Sequence, residues 1–323
     1  MNPKDKRNCL ALWGLTLMGL FFTFLLVLFL HRNVKKRAPL LFGSTYMNMN
    51  NPYFQVLNES IRDVIEANGD SLITRDPAQD QLRQNRQIED MIQEGISVLF
   101  ANPADRSQFG PALEACQRAG VAVFLVDTGA DQEEGVISCI QSDNYEAGVL
   151  VAKDLMKKKP GGARILLLGN QATASMVDRR NGFVQTLSAE KQYVIAAEIE
   201  GINEIETANQ AMDLFMQNWQ DIDVVFGEND PSALGALAAI MKNRGSASGI
   251  LIYGVDGSPD GKRMIKKGQM TGTVAQHPME MGKQAAAMAY AYLKGKAVDR
   301  EVWIPVELIN GGNMNQVNLE QWQ

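Results

Sequence analysis

From residue 40 onward the apolar positions alternate between two periods. Short apolar runs of strand length recur, and between them apolar residues fall at helical spacing. Residues 41–47 predict a first strand, and Phe54, Leu57, Ile61, Val64 and Ile65 then mark one face of a helix. Further strands are predicted at 71–74, 97–102, 122–127, 136–141, 163–169, 194–198, 223–227, 250–255 and 271–275. Helical patterns lie between most of them, at 82–93, 108–118, 145–156, 204–218 and 233–242. Runs such as Ile165-Leu166-Leu167-Leu168 are apolar on both faces, which suits a parallel sheet covered by helices. Nine or more βα units exceed one comfortable sheet, so the expected fold class is α/β with two doubly wound parallel-sheet domains. No Gly/Ser- or Pro-rich linker separates them. Strands are therefore expected to cross directly between the domains and act as a short hinge.

The amino-terminal pattern is different. Residues 10–30 are uncharged and strongly apolar. At about 1.5 Å per residue they span roughly 30 Å, the thickness of a bilayer core. Lys4, Lys6 and Arg7 precede the run, and Arg32, Lys35, Lys36 and Arg37 follow it. That balance does not set an orientation. No small-residue cleavage site follows, and Cys9 precedes the run instead of ending it. One uncleaved transmembrane helix is expected, making residues 1–37 a single-pass membrane anchor with basic flanks.

Charge narrows the function of the remainder. Residues 1–37 hold seven basic and one acidic side chain; the other 286 residues hold 24 basic and 36 acidic, a net of −12. Such a balance argues against nucleic acid as a partner. Three cysteines do not make a disulfide framework; Cys116 and Cys139 read as small buried residues, with a bridge between them left open by the sequence. Only His31 and His277 are present, with no Gly-x-Ser-x-Gly elbow, Cys-x-x-Cys or phosphate loop. An enzyme, a metal site and a cofactor are all unexpected. His277, before Pro278, reads as a helix-start residue, and Met47, Met49, Met176, Met279 and Met281 read as core or hinge packing.

Candidate chemistry gathers where strands end. Asn50-Asn51-Pro52-Tyr53-Phe54 falls at the handover from first strand to first helix, with Pro suited to the helix's first turn. It presents an amide and two rings at the carboxyl end of a strand, where open α/β sheets bind ligands. Asp127, Asn229, Asp230, Asp256 and Gln276 also follow apolar runs. Asp230, before Pro231, reads as a helix cap. Acceptors, amides and the fixed planar donor of Arg179 together suit sugar hydroxyls, each of which donates and accepts.

These residues stand in a recognisable series. The Asn50–Phe54 motif, Ser142-Asp143-Asn144, Asp178-Arg179-Arg180-Asn181-Gly182-Phe183, the stretch from Asn229 to Leu237, that from Gly254 to Gly261, and Val274-Ala275-Gln276 occur in this order. Over about residues 40–310 the chain resembles the ribose/galactose class of type I periplasmic sugar-binding proteins, the substrate-binding proteins of ABC transporters. The resemblance implies two lobes joined by three crossovers near 141–143, 276–277 and 304–305. One lobe would comprise residues 38–141 with 277–304, the other 142–276 with 305–323. It further implies a cleft that takes a monosaccharide or polyol outside the cytoplasm, at the cell surface or in the periplasm.

By position, Tyr53 and Phe54 would stack on the sugar, and Asn51 and Asp127 would be the first lobe's polar contacts. Arg179, Asn229 and Asp256 would come from the second lobe, with Gln276 at a hinge strand. Thr128 stands where ribose binders carry Arg, and positions matched to Asn203 and Val255 have lost aromatic rings. These departures imply a larger or differently oriented sugar or polyol than ribose. The membrane partner would be an ABC permease, or alternatively a receptor such as a histidine kinase to which the protein reports sugar binding.

Overall fold

The computed structural model describes residues 18–24, 38–218 and 221–322. Most of the apolar run 10–30, and with it the expected membrane-spanning helix, lies outside these residues. Within it, residues 18–24 are helical and exposed. Among the described residues no helix is long and apolar enough to cross a membrane.

Leu40–Gln323 forms one compact unit. Its elements alternate as the two periods demand: β1 (Leu41–Thr45), α1 (Pro52–Ala67), β2 (Ser71–Arg75), α2 (Gln81–Gln93), β3 (Val98–Ala101), α3 (Gly110–Ala119), β4 (Ala122–Val126) and β5 (Val136–Ser142). Next come α4 (Asn144–Lys158), β6 (Ala163–Leu168), α5 (Ala174–Leu187), β7 (Tyr193–Ile199), α6 (Ile205–Met216), β8 (Val224–Gly227), α7 (Asp230–Arg244) and β9 (Leu251–Asp256). The chain continues through α8 (Pro259–Lys266), β10 (Gly272–Ala275), α9 (Pro278–Leu293), β11 (Glu301–Ile304) and β12 (Glu307–Asn310).

Two six-stranded sheets result, ordered β11-β5-β4-β3-β1-β2 and β12-β10-β9-β8-β6-β7. All pairings are parallel except β10 with β12, which is antiparallel. The chain passes from one sheet to the other after β5, back after β10, and across again between β11 and β12. β11 and β12 were absent from the predicted strands. Both are four-residue edge strands with exposed positions, so their hydrophobic signal is weak.

The central strands are buried on both faces, and alternate residues feed opposite cores. In the first sheet Phe42, Phe100 and Phe124 join the core under α1 and α9, while Leu99, Val123 and Leu125 join the core under α2 and α3. In the second, Leu166, Leu168 and Val225 face α6 and α7, and Ile165, Leu167 and Phe226 face α4 and α5. Cys116 and Cys139 are free thiols buried in one of these cores.

Helices α4 and α5 touch backbone to backbone. A Cβ on Gly148 would overlap the carbonyl oxygen of Arg179, and one on Gly182 would overlap that of Tyr145. Because α5 carries Arg179, this reciprocal glycine contact sets how far that side chain reaches.

Candidate ligand-binding site

One cavity lies between the carboxyl ends of the two sheets. It is lined by Met47, Asn48, Asn51, Tyr53, Phe54, Asp127, Thr173, Ser175, Met176, Arg179, Asn203, Asn229, Asp256 and Gln276. The space between atoms, counted to its mouth and including open solvent, is about 370 Å³.

The first sheet contributes the rings. Asn51 caps α1 by accepting a hydrogen bond from the Tyr53 amide at 2.9 Å, and Pro52 opens the helix with a preset φ. Tyr53 and Phe54 therefore leave the first turn together, edge to face at 5.5 Å, and both are buried. The Tyr53 hydroxyl donates to Gln276 Oε1 at 3.3 Å. Asp127 follows β4, and its Oδ2 accepts from Asn102 Nδ2 at 2.9 Å.

The second sheet contributes charge. Arg179 is nearly wholly buried; its Nε donates to Asn144 Oδ1 at 2.9 Å and its Nη1 to the Glu228 carbonyl at 2.7 Å. Nη1 also stands 3.9 Å from Asp256 Oδ1, which accepts from Gln276 Nε2 at 2.9 Å. Asn229 caps α7 by accepting from the Ser232 amide, and its own amide donates to the Asn203 carbonyl at 3.0 Å.

Arg179 faces an excess of carboxylates. Burial pushes Asp127 above the usual carboxylate range, opposed chiefly by Arg179. Burial, then the neighbouring Asp230, pushes Asp256 well above it, with Arg179 opposing. The site is thus rich in buried acceptors, which suits the hydroxyls of a ligand as donors. Backbone strain marks the same groups. Asp127 has φ 70° and Asp256 has φ 136°, two of four described non-glycine residues with positive φ. Such conformations cost on the order of 1–3 kcal/mol each and persist where the surroundings over-determine them.

Nine of the ten residues singled out in the sequence line this one cavity. Thr128 does not. Its Oγ1 accepts from the Ser175 amide at 3.0 Å and fastens the start of α5 to the end of β4. Asp230 is not the helix cap expected of it, because Asn229 takes that role. Its buried carboxylate instead accepts from Ser258 and Thr273, behind Asp256. Met47, Asn48, Thr173, Ser175 and Met176 line the cavity although sequence reasoning missed them. Ser175 and Met176 lie one helical turn before Arg179, so the i, i+3/i+4 spacing carried a signal for them. Asn48 carried none, since four asparagines crowd residues 48–58 without a periodicity that separates them.

The cavity is closed over by contacts between the two sheet-bearing halves. Asn48 Nδ2 donates to Glu204 Oε1 at 3.1 Å, Asn203 Nδ2 to Gln79 Oε1 at 3.1 Å, and the Arg106 amide to the Ala172 carbonyl at 3.0 Å.

Comparison with known proteins places these features. Residues 42–297 match the family model described as a periplasmic binding protein domain. The chain is 32% identical over 266 residues to the ribose import binding protein RbsB of Bacillus subtilis, covering 82% of this chain and 86% of the relative. Among solved structures, an ABC transporter solute-binding protein from Mycobacterium smegmatis with bound glycerol superposes with a TM-score of 0.79 at 28% identity. That match covers 86% of this chain and 96% of the other. The binding protein of the arabinose ABC transporter from Shewanella sp. ANA-3, bound to α- and β-L-arabinofuranose, gives 0.79 at 26% identity, covering 85% and 93%.

Proposed function

The chain belongs to the periplasmic binding protein family, and from that premise we propose that it captures a monosaccharide or polyol outside the cytoplasm and delivers it to an ABC sugar importer. One observation carries this reading: two rings from one half and a buried Arg179–Asp256 pair from the other line a single cavity. Ring faces suit the C–H surface of a sugar or polyol, and the carboxylates and amides suit its hydroxyls. The relatives' ligands, ribose, glycerol and arabinofuranose, share that chemistry.

Asn51, Tyr53, Phe54, Asp127, Asn203, Arg179, Asn229, Asp256 and Gln276 are the contacts we assign, with Thr128 acting through α5. Residues 38–141 with 277–304, and 142–276 with 305–323, are the two lobes. Each supplies half of the contacts, so only the closed form satisfies all of them, and ligand shifts the population toward it. The apolar run at residues 10–30 tethers the protein, leaving the lobes on the outer face of the membrane.

A thermal-shift screen of residues 38–323 against monosaccharides and polyols tests the ligand class. A solute at about 100 times its Kd raises stability by about 2.7 kcal/mol, a visible rise in Tm. No response across the screen refutes the sugar reading. A bound ligand that leaves the radius of gyration in solution scattering unchanged refutes closure. Protection of the lobes from protease added to intact spheroplasts refutes the outward orientation.

A further inference from the structure

The segment after β12 returns to the cavity from behind. Met314 and Val317 pack on the core of the second sheet, and Lys262 of α8, itself buried, donates from Nζ to the carbonyls of Asn318, at 2.8 Å, and Gln321. Arg263 of α8 also pairs with Glu320 at 2.9 Å. Residues 318–321 are thus fastened to the helix that follows Asp256. One residue further, Trp322 packs on the core of the first sheet and meets the Tyr53 ring edge-on, with centroids 5.6 Å apart. The outer side of Tyr53 is therefore held by a residue whose anchorage belongs to the opposite half.

We propose that Trp322 is a positioning residue for ligand binding, holding the Tyr53 ring toward the cavity and linking that ring to the Asp256 half. The inference rests on the sugar or polyol reading for its effect on affinity. Phe54 and Gln276 hold Tyr53 at one edge and at its hydroxyl, 5.5 Å between centroids and 3.3 Å from the oxygen. Trp322 supplies a further wall. Without it one side of the ring loses its packing partner, and binding must restore the order that Trp322 otherwise maintains.

The purified full chain is titrated with the best solute of the screen, as wild type, Trp322→Ala, Trp322→Phe, Tyr53→Ala and the Tyr53→Ala/Trp322→Ala double variant. An edge-on aromatic pair implies a loss of about two- to twelvefold in affinity for Trp322→Ala. Trp322→Phe should recover most of it, and the loss should vanish in the Tyr53→Ala background, which a general loss of structure would not produce. A loss under about twofold, or an equal loss with Tyr53 already removed, overturns the proposal. A second readout needs no ligand: fluorotyrosine is incorporated and the Tyr53 resonance assigned with Tyr53→Phe. Trp322→Ala must shift that resonance, and an unmoved resonance overturns the proposal whatever the sugar result. A wild-type protein that binds no solute while this resonance shifts counts against the sugar reading and supports the Trp322 contact.

Discussion

Glu228 offers the sharpest test of how the site stores unfavourable electrostatics. Its side chain is 3% exposed at the end of β8, and a Cβ at Gly169 would overlap its carboxylate. Burial, then repulsion from Glu200, pushes it from 4.5 up to about 8, against the attraction of Arg179 and Arg180. The folded protein therefore holds this proton more tightly than the unfolded chain does. Below about pH 4.5 both states are protonated and the group costs nothing. As pH rises toward 8 the unfolded chain ionises while the folded one resists, and stability falls by about 1.36 kcal/mol per pH unit. By pH 7 the deficit is about 3 kcal/mol, and it levels off above pH 8. Glu228→Gln keeps the shape and removes the charge, so it should stabilise by roughly that amount at pH 7 and by little at pH 4.5. Urea denaturation of both proteins at several pH values measures the difference. A neutral or destabilising effect at pH 8, or a gain of equal size at pH 4.5, would refute the argument.

Other outcomes follow from the same geometry. Asp127→Ala or Asp256→Ala should weaken solute binding by about 2–4 kcal/mol, roughly 30- to 1,000-fold, and more than Thr128→Ala. Calorimetry that finds both aspartate variants within about twofold of wild type would remove them from the site. Gly148→Ala forces its Cβ onto the Arg179 backbone, so α5 must shift. It should lower stability by about 1–3 kcal/mol and weaken binding as well. Gly161→Ala, with open space around it, should change stability by less than about 0.5 kcal/mol. Equal melting temperatures for the two glycine variants would contradict the helix contact.

The layered α/β architecture is legible along the chain, because burial on both faces leaves continuous apolar runs and helices leave their own period. Ile165 to Leu168 are buried throughout, as their pattern required. Asn51 and Pro52 likewise announced the start of α1, since capping and a fixed φ are local demands. Edge strands β11 and β12 stayed hidden because an edge buries too little to write a pattern. Which strand-end groups share a cavity depends on how the two sheets come together. Asn229 and Asp230 are neighbours in the chain, yet one caps a helix and lines the cavity while the other is spent inside the protein on Ser258 and Thr273. The positive φ of Asp127 and Asp256, and the return of Trp322 to Tyr53 across 269 positions, depend on contacts between residues remote in sequence. Propensity acts over a few residues, whereas side-chain direction and desolvation are set by whatever the fold brings alongside.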